Sequence, residues 1–517
     1  MIQAENNAIR ALRIADGHRG NQHKPCAQKT RTHLLNKIRE WAEDPDSSNQ
    51  IFWLVDRAGT GKSTVAKQIV YEWESVRKPI VSFFFSINVA DTRSNMKFSS
   101  TNAVNLASLD EFGSFRSALG ETLGRRLAVE SLSFNDQFET LLFYPLEKAN
   151  RPVLLVVDAL DECDKAGRSD LLSVLLDKLT DLPMVKVMIT SRPEPDIEER
   201  LRMASIVLCS DIQAGDDGDI HAKDICEYVS QTFAQSRRLQ HLVDRAQVLA
   251  NLAGGLFIWA STASRYLEDS LDPDADFSTI EGMKGLDEMY PRIIQGAIPP
   301  DGASFNAYCS VLQCILAAPR PLSVSEMQNL LKKGTVPLVV EHLASVLGGG
   351  AGDRPVEILH PTFREYLTDR NRSGKYFINI NKGHYSFAIA SLETMWLELK
   401  YDMCGVQTAL LTAPFNNIIP GLDKLLEQAV SKVLSYSIHY WAYHVAECLE
   451  DRIVLEQLLK FFEIQLLKWV ELMSWKGVAY HSTASLSCLQ ANLSSALASR
   501  DSGSKLVRSF TYWHRGH

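Results

Sequence analysis

The 517-residue sequence lacks several features that would place it in a specialised class of protein. Its nine cysteines are odd in number and include no Cys-x-x-Cys pair, so neither a zinc site nor a disulfide framework is predicted. The N-terminus has no apolar signal segment, and the richest apolar run, around Leu256–Ala260, is far shorter than a membrane span. A formal net charge of -8 gives no basis for a nucleic-acid or membrane-surface partner. These absences predict a soluble cytoplasmic protein with reduced thiols.

The sequence also shows no internal repeat, propeller signature or low-complexity tract. What is present is an ordinary globular composition, 45% hydrophobic and 22% charged. The chain is too long to enclose a single core, so three or four domains are expected.

A glycine-rich turn that ends in Gly61-Lys62-Ser63 is the most informative stretch. It follows a short apolar strand, Ile51–Val55, and precedes a helix whose apolar face includes Val65 and Ile69. In a phosphate-binding loop of this kind, backbone N–H groups and the helix N-terminus face the phosphates, the lysine reaches their outer oxygens, and the hydroxyl meets Mg²⁺. The pattern therefore predicts a nucleotide-binding loop.

The loop departs from the usual pattern at its first position, where Asp56 stands in place of glycine. Aspartate is among the few other residues that tolerate unusual backbone angles. A carboxylate near the phosphates is nevertheless repulsive unless Arg57 or Mg²⁺ compensates it. Weakened nucleotide affinity is predicted, with Asp56→Gly tightening it.

Two further strand ends carry polar side chains. The apolar run Arg151–Val157 is typical of a strand buried on both faces, and Asp158 follows it, placed to contact Mg²⁺ directly or through water. Asp161 and Glu162 come next, placed to orient or deprotonate an attacking water, although a strand that merely ends in an acidic loop is the alternative. At Ile189–Pro193, a polar residue and Arg192 are placed either to sense a γ-phosphate or to cap the strand and pair with the acids.

Beyond these sites, strands alternate with helices from residue 51 to residue 209, which indicates an open, mostly parallel α/β sheet. Residues 86–113 have no stable period and are interpreted as a functional loop or a poorly ordered insert. After the acidic loop Asp211–Asp219 the pattern is mainly helical. A unit from about Ser304 to Asp369 has the helix-and-wing pattern of a winged helix, and residues 374–500 are predicted to be helical, with breaks at Pro414 and Pro420 and a frayed tail, Asp501–His517.

Five ordered motifs, AGTGKST, VVDALDEC, ITSRPEPDI, GLFIWASTA and ILHPTFREYL, together resemble the NACHT class of signal-transduction (STAND) NTPases, most closely the fungal nephrocystin-3-like proteins. The resemblance covers the chain from Cys26 to about Gly477. It implies an α/β P-loop NTPase of the ASCE type, followed by a helical domain, a winged helix and a C-terminal helical domain. The implied boundaries are 1–48 for a lead-in with one amphipathic helix, 49–210 for the NTPase core, 211–302 for the helical domain, 303–372 for the winged helix and 373–517 for the helical spacer.

The resemblance also implies roles for individual residues. It implies nucleotide contacts at Gly59, Thr60, Gly61, Lys62, Ser63 and Thr64. It implies Mg²⁺ contacts at Ser63 and Asp158, hydrolytic acids at Asp161 and Glu162, and a sensor at Arg192. His360 matches a winged-helix histidine that contacts the ADP β-phosphate in relatives and holds the closed state, although a histidine before Pro361 is more often structural. Leu256–Trp259 is interpreted as helical core rather than a base-stacking site.

The function implied is a nucleotide-operated switch that binds ATP or ADP with Mg²⁺, hydrolyses ATP slowly, and cycles between a closed and an open, oligomerising form. Protein partners and homo-oligomers are expected, in self/non-self recognition or programmed cell death. The alternative is a degenerate, non-catalytic scaffold for protein partners, for which Asp56 and the lack of recognisable effector and repeat domains are the motivation. A small-molecule P-loop kinase is a weaker third hypothesis, because no substrate-binding motif is visible.

Overall fold

Five parallel strands form the central sheet of the N-terminal part of the chain. They are β1 (Ile51–Val55), β2 (Ile80–Phe84), β3 (Val153–Asp158), β4 (Val185–Ser191) and β5 (Val207–Asp211), in the spatial order β2-β3-β4-β1-β5. Every residue of β1, β2 and β3 is buried, as the continuous apolar runs predict for a sheet covered on both faces. Because β4 lies between β1 and β3, the phosphate-binding loop and Asp158 flank the end of β4. This is the predicted ASCE-type α/β P-loop fold.

The computed structural model describes residues 8–125, 129, 132–212, 218–283, 285–298, 302–332, 334–350, 353–405, 421–478, 485–486 and 489. The predicted breaks at Pro414 and Pro420, the tail Asp501–His517 and part of the acidic loop lie outside these residues. No helix among the described residues has the length and apolar character needed to cross a membrane.

Helices accompany the sheet and continue after it as far as residue 297, including the helix predicted directly after Gly61-Lys62-Ser63. They are α1 (Thr32–Glu43), α2 (Lys62–Ser75), α3 (Phe98–Ser108), α4 (Gly113–Arg125), α5 (Phe134–Phe138), α6 (Tyr144–Ala149), α7 (Lys165–Lys178), α8 (Pro195–Leu201), α9 (Gly218–Gln235), α10 (Ala246–Leu252), α11 (Phe257–Asp269), α12 (Pro273–Ile280) and α13 (Leu286–Ala297). A π-helical stretch, Glu139–Phe143, joins α5 to α6.

The interpretation of residues 86–113 as a loop or poorly ordered insert is wrong. Helix α3 occupies the centre of this stretch and is buried on nearly all sides, including at Ser99, Thr101 and Asn102. The polar side chains satisfy part of their hydrogen bonding internally, since the Thr101 hydroxyl accepts the Ala15 N–H at 2.8 Å and the Asn102 amide donates to the Phe98 carbonyl at 2.9 Å. A helix buried all round has no amphipathic period, which is why the pattern failed.

Helix α7 begins earlier than its leucine pattern indicates. Its N-cap is Asp164, whose carboxylate accepts the Gly167 N–H at 2.8 Å. The first turn is polar, so it carries no apolar signal, and only the cap identifies the start.

The C-terminal part of the described chain is mainly helical, with one small antiparallel sheet. Its strands are β6 (Leu322–Ser323), β7 (Leu347–Gly348) and β8 (Pro355–Ile358), in the order β6-β8-β7. Its helices are α14 (Gly302–Ala317), α15 (Val324–Leu331), α16 (Val336–His342), α17 (Pro361–Thr368), α18 (Arg370–Ser373), α19 (Ile380–Glu398), α20 (Leu422–Ala429), α21 (Lys432–Ala446), α22 (Arg452–Lys460) and α23 (Leu466–Trp475). The antiparallel pair β7 and β8 resembles the predicted wing, although the stretch Val336–Val340 that precedes its glycine-rich turn is helix α16 and not a strand.

The chain divides into two compact units. The first comprises Met1–Ile293 with Ala344–Val346 and Leu359–Phe363, and the second comprises Ile294–Leu343, Leu347–Ile358 and Arg364–His517. The sheet and the helices as far as α12 therefore lie in the first unit, together with the short stretch that contains His360. The finer domain boundaries remain predictions.

Candidate functional site

The phosphate-binding loop takes the shape that its glycines permit. Gly59 and Gly61 have φ angles of 84° and 92°, which glycine adopts without strain, and α2 begins directly after them. A Cβ on Gly59 would stand 2.1 Å from the Ile258 Cγ2, so a side chain at Gly59 is excluded by packing as well. The loop therefore lies directly against the N-terminal end of α11.

Two carbonyl groups of the loop are held from outside. The Ile258 N–H donates to the Gly59 carbonyl at 3.0 Å, and the Arg31 guanidinium donates to the Thr60 carbonyl. In a trans peptide the N–H points away from the C=O, so these bonds also set the direction of the Thr60 and Gly61 N–H groups. Successive N–H groups held in this way form an anion-binding concavity.

Arg31 is a site residue that sequence reasoning missed. It is buried at the start of α1, and its guanidinium lies 4.8 Å from the centre of the Phe257 ring. One guanidinium nitrogen is 2.8 Å from the His221 Nδ1, and the His221 Nε2 is 2.8 Å from the Ile212 carbonyl oxygen. Burial lowers the pKa of Arg31, opposed chiefly by Asp224. Its only sequence signal was its place before an amphipathic helix, which does not distinguish it from a surface arginine.

The loop lysine lies across the opening of the loop. The Lys62 ammonium donates to the carbonyl oxygens of Asp56 and Arg57, both at 2.7 Å. Burial lowers its pKa, and the Asp161 and Asp56 carboxylates oppose that effect. Thr64, in the first turn of α2, is half-buried.

Asp158 ends β3 and is fully buried. One carboxylate oxygen accepts the Thr190 hydroxyl at 2.5 Å, and the Ser63 hydroxyl is near enough to the carboxylate to oppose a rise in its pKa. Its other oxygen has no hydrogen-bond partner among the described residues, and burial raises the pKa of this carboxyl. A buried carboxylate with a spare oxygen next to a hydroxyl is the oxygen-donor chemistry that Mg²⁺ prefers, so the residues present fit this metal.

The predicted hydrolytic acids follow in a 3₁₀ turn, Leu160–Glu162. The Asp161 carboxylate accepts the Arg192 N–H at 3.0 Å and pairs with the Arg192 Nε at 3.1 Å. Arg192 therefore makes the ion pair that was the alternative to phosphate sensing. The Glu162 carboxyl accepts the Ile87 N–H at 3.1 Å, and burial together with the Asp161 charge raises the pKa of Glu162 to about 8.

Two histidines lie at the same site. A Cβ on Gly59 would be 3.8 Å from the His360 Cε1, so the imidazole of His360 lies over the loop. Burial lowers the pKa of His360 to about 3, and the charges of Arg192, Lys62 and His23 add to this effect. His23 stacks on Phe84 with ring centres 5.8 Å apart, and burial lowers its pKa, opposed by Asp158. His23 belongs to an N-terminal segment without periodicity, so no sequence signal identified it.

The prediction that Leu256–Trp259 is helical core holds only in part. Trp259 is fully buried core, whereas Phe257 and Ile258 are half-buried and face the loop. The structure thus brings together the phosphate-binding loop, the Asp158–Glu162 acids, Arg192 and His360 within the first unit.

Comparison with known proteins supports the assignment of the N-terminal sheet and its loop as an ATPase-type core. A family model described as Nephrocystin 3, N-terminal, matches residues 29–192, which is less than half of the chain. No curated protein sequence matches the chain significantly.

Solved structures with some similarity include a Walker-type ATPase of Pyrococcus abyssi, 13% identical with a TM-score of 0.35, covering 65% of this chain and 96% of that one. The Drosophila ORC structure bound to DNA is 13% identical with a TM-score of 0.32, and covers 74% and 91%. The Cdc6p structure from Pyrobaculum aerophilum is 13% identical with a TM-score of 0.29, and covers 67% and 94%. Scores this low do not support a functional statement. The sheet order, the loop geometry and the family match identify a P-loop ATPase-type core.

Proposed function

We propose that this protein is a nucleotide-operated signalling switch of the NACHT class, which binds ATP or ADP with Mg²⁺ and alternates between a closed and an open, oligomerising state. The observation that supports this most strongly is that the His360 imidazole lies over Gly59 of the phosphate-binding loop. A switch needs such a residue, because only a contact that differs between two nucleotide states shifts a conformational equilibrium.

The nucleotide would be held by the loop from Gly59 to Thr64. The N–H groups of the loop and the N-terminus of α2 would receive the phosphates, and Lys62 would neutralise their charge. Ser63 and Asp158 would hold Mg²⁺, which supplies charge neutralisation for the phosphate oxygens when bound. The assignment of adenine rather than guanine rests on the family resemblance alone.

Hydrolysis in such a switch would be slow. Glu162, with a pKa raised to about 8, is mostly protonated at neutral pH and is a poor general base in that form. Asp161 is held by Arg192, so neither acid is free to activate water without rearrangement. Slow hydrolysis suits a reset step rather than rapid turnover.

The signalling roles that the family resemblance implies, self/non-self recognition and programmed cell death, are part of the same proposal, as are a cytoplasmic location and protein partners. The competing hypothesis is a scaffold that has lost nucleotide binding, and the buried Asp56 beside the loop favours it.

Isothermal titration of the purified protein with ADP and ATP, in buffer with Mg²⁺, separates the two hypotheses. We expect saturable binding of both nucleotides and its loss in Lys62→Ala, because that substitution removes the charge that faces the phosphates. An absence of binding in the unmodified protein would leave the scaffold as the better hypothesis.

A further inference from the structure

The tautomer of His360 is defined by its neighbours. The backbone N–H of Thr362 donates to the His360 Nδ1 at 3.2 Å, and the Thr362 hydroxyl oxygen lies 2.9 Å from the same nitrogen. A nitrogen that accepts an N–H must present its lone pair, so the proton of a neutral imidazole is on Nε2. Burial and the nearby positive charges lower the pKa of His360 to about 3, which keeps the ring neutral at physiological pH.

A third residue extends this arrangement. The Tyr290 hydroxyl oxygen is 2.7 Å from the Thr362 hydroxyl oxygen, and both side chains are buried. An unprotonated Nδ1 can only accept, so the Thr362 hydroxyl donates to Nδ1, sharing its lone pair with the Thr362 N–H, and is left to accept from the Tyr290 hydroxyl. The three groups therefore form one directed chain from Tyr290 through Thr362 to His360.

Packing holds this hydrogen-bonded chain of three side chains in place. The Tyr290 ring lies against the Phe363 ring, with centres 5.0 Å apart, and both rings are buried. Tyr290, Leu359–Phe363 and the phosphate-binding loop all belong to the first compact unit. The hydrogen-bonded chain thus ends on the His360 imidazole, which lies over Gly59 and has a donor at Nε2 and no donor at Nδ1.

We propose that Tyr290 and Thr362 are positioning residues that hold His360 as the Nε2–H tautomer, so that it donates a hydrogen bond to the phosphate end of a bound nucleoside diphosphate. This rests on the proposed function, since it names the residues that set the preference of the same site for ADP. Without these two hydroxyl groups, the His360 imidazole is free to populate the Nδ1–H form or to rotate. The Nε2–H donor is then absent for part of the time.

The first test is the affinity for ADP relative to ATP in Tyr290→Phe and Thr362→Val, measured by titration with Mg²⁺ present. Loss of one buried hydrogen bond of about 1 kcal/mol corresponds to about fivefold weaker ADP binding. We expect this loss for ADP and little change for ATP in both variants. The ratio is taken within one protein, so a general loss of stability does not imitate the effect.

Tyr308→Phe is the matched control. Tyr308 is also fully buried, and its hydroxyl has no hydrogen-bond partner among the described residues. Tyr308 is not part of the hydrogen-bonded chain from Tyr290 through Thr362 to His360, so its removal should leave the ADP-to-ATP ratio unchanged. An unchanged ratio in Tyr290→Phe and Thr362→Val, in a protein that binds nucleotide, would overturn the proposal and leave the proposed function standing.

The second test does not require nucleotide. In protein labelled with ¹⁵N-histidine, the His360 signals, identified by their loss in His360→Gln, should report the Nε2–H tautomer in the unmodified chain and a mixture in Tyr290→Phe. A His360 that is protonated at Nδ1 in the unmodified chain would refute the positioning role. If the unmodified protein binds no nucleotide, the proposed function fails, and this measurement then decides the positioning role alone.

Discussion

Asp56 shows how a single residue can alter the nucleotide site without altering the fold. It is 5% exposed, and one carboxylate oxygen accepts the Arg57 N–H at 2.6 Å. Its other oxygen has no hydrogen-bond partner among the described residues. Asp56 is not one of the residues with positive φ, so the tolerance of aspartate for unusual backbone angles is not what permits it here. Its consequence is electrostatic, since burial raises the pKa of its carboxyl and Lys62 opposes that rise.

Asp56→Asn should therefore tighten nucleotide binding. Removing one negative charge near the phosphates is worth about 1 kcal/mol, or about fivefold in the dissociation constant at neutral pH. The gain should shrink as the pH is lowered, because the carboxyl of the unmodified protein then takes up a proton. Titration calorimetry at two pH values measures both effects. Asp170→Asn, an exposed position on α7, is the control, and equal affinities in the unmodified and Asp56→Asn proteins would contradict the prediction.

Arg31 and His23 are residues that no motif identified. Arg31 binds the Thr60 carbonyl, and His23 stacks on Phe84, where the Asp158 charge affects its pKa. Both precede the phosphate-binding loop in sequence by about 30 residues or more. A sequence pattern reports neighbours along one helix or strand, so contacts of this range carry no local signal.

At the scale of elements, helix α3 is the clearest difference between expectation and structure. Its Phe98 ring lies in an aromatic cluster, with centres 5.2 Å from Phe83, 6.4 Å from Phe85 and 6.4 Å from Phe134. The stretch is therefore part of the core that covers the sheet. An insertion without a structural role would not have this environment.

Phe98→Ala should destabilise the protein by about 3 kcal/mol, because truncation of a buried phenylalanine leaves a cavity. Met96 is two residues away and 57% exposed, so Met96→Ala should change stability by less than about 0.5 kcal/mol. Urea denaturation followed by tryptophan fluorescence compares the two. Similar small effects in both variants would mean that the stretch is not core.

At the scale of the whole molecule, buried histidines make stability sensitive to mild acid. Burial lowers the pKa of His18, His439 and His444 below the ordinary value of 6.5. The unfolded chain takes up a proton at each of these positions near pH 6.5, whereas the folded chain does so only at lower pH. Between these two pKa values the unfolded state binds more protons, so stability falls as the pH falls.

The loss is about 1.4 kcal/mol at pH 5.5 for each histidine that stays neutral when folded. We expect a lower unfolding temperature at pH 5.5 than at pH 7.5. The difference between these two temperatures should be smaller in His444→Gln. His33→Gln, at an exposed position, should keep the full difference. Glu162 acts in the opposite direction, because its raised pKa favours the folded state at lower pH, but it contributes equally to all three proteins. An equal difference in all three would count against the role of His444.

The sequence by itself determined the α/β P-loop core, because its evidence is local. Strand β1, the loop and α2 are consecutive, and the all-buried strands β2 and β3 read as apolar runs. The sequence predicted Asp158, Asp161, Glu162 and Arg192 as site residues because each lies at or just after the end of a recognisable strand, and the carboxyl ends of parallel strands meet at one edge.

Only the tertiary structure decided what surrounds that edge. The packing of Ile258 on Gly59, the Arg31 bond to Thr60, and the chain from Tyr290 to His360 all join residues that lie far apart along the sequence. The burial of α3 and the low pKa of His360 likewise depend on what covers them. The physical reason is the same in each case, since burial and electrostatic environment are properties of the folded surroundings and not of the residue or its neighbours along the chain.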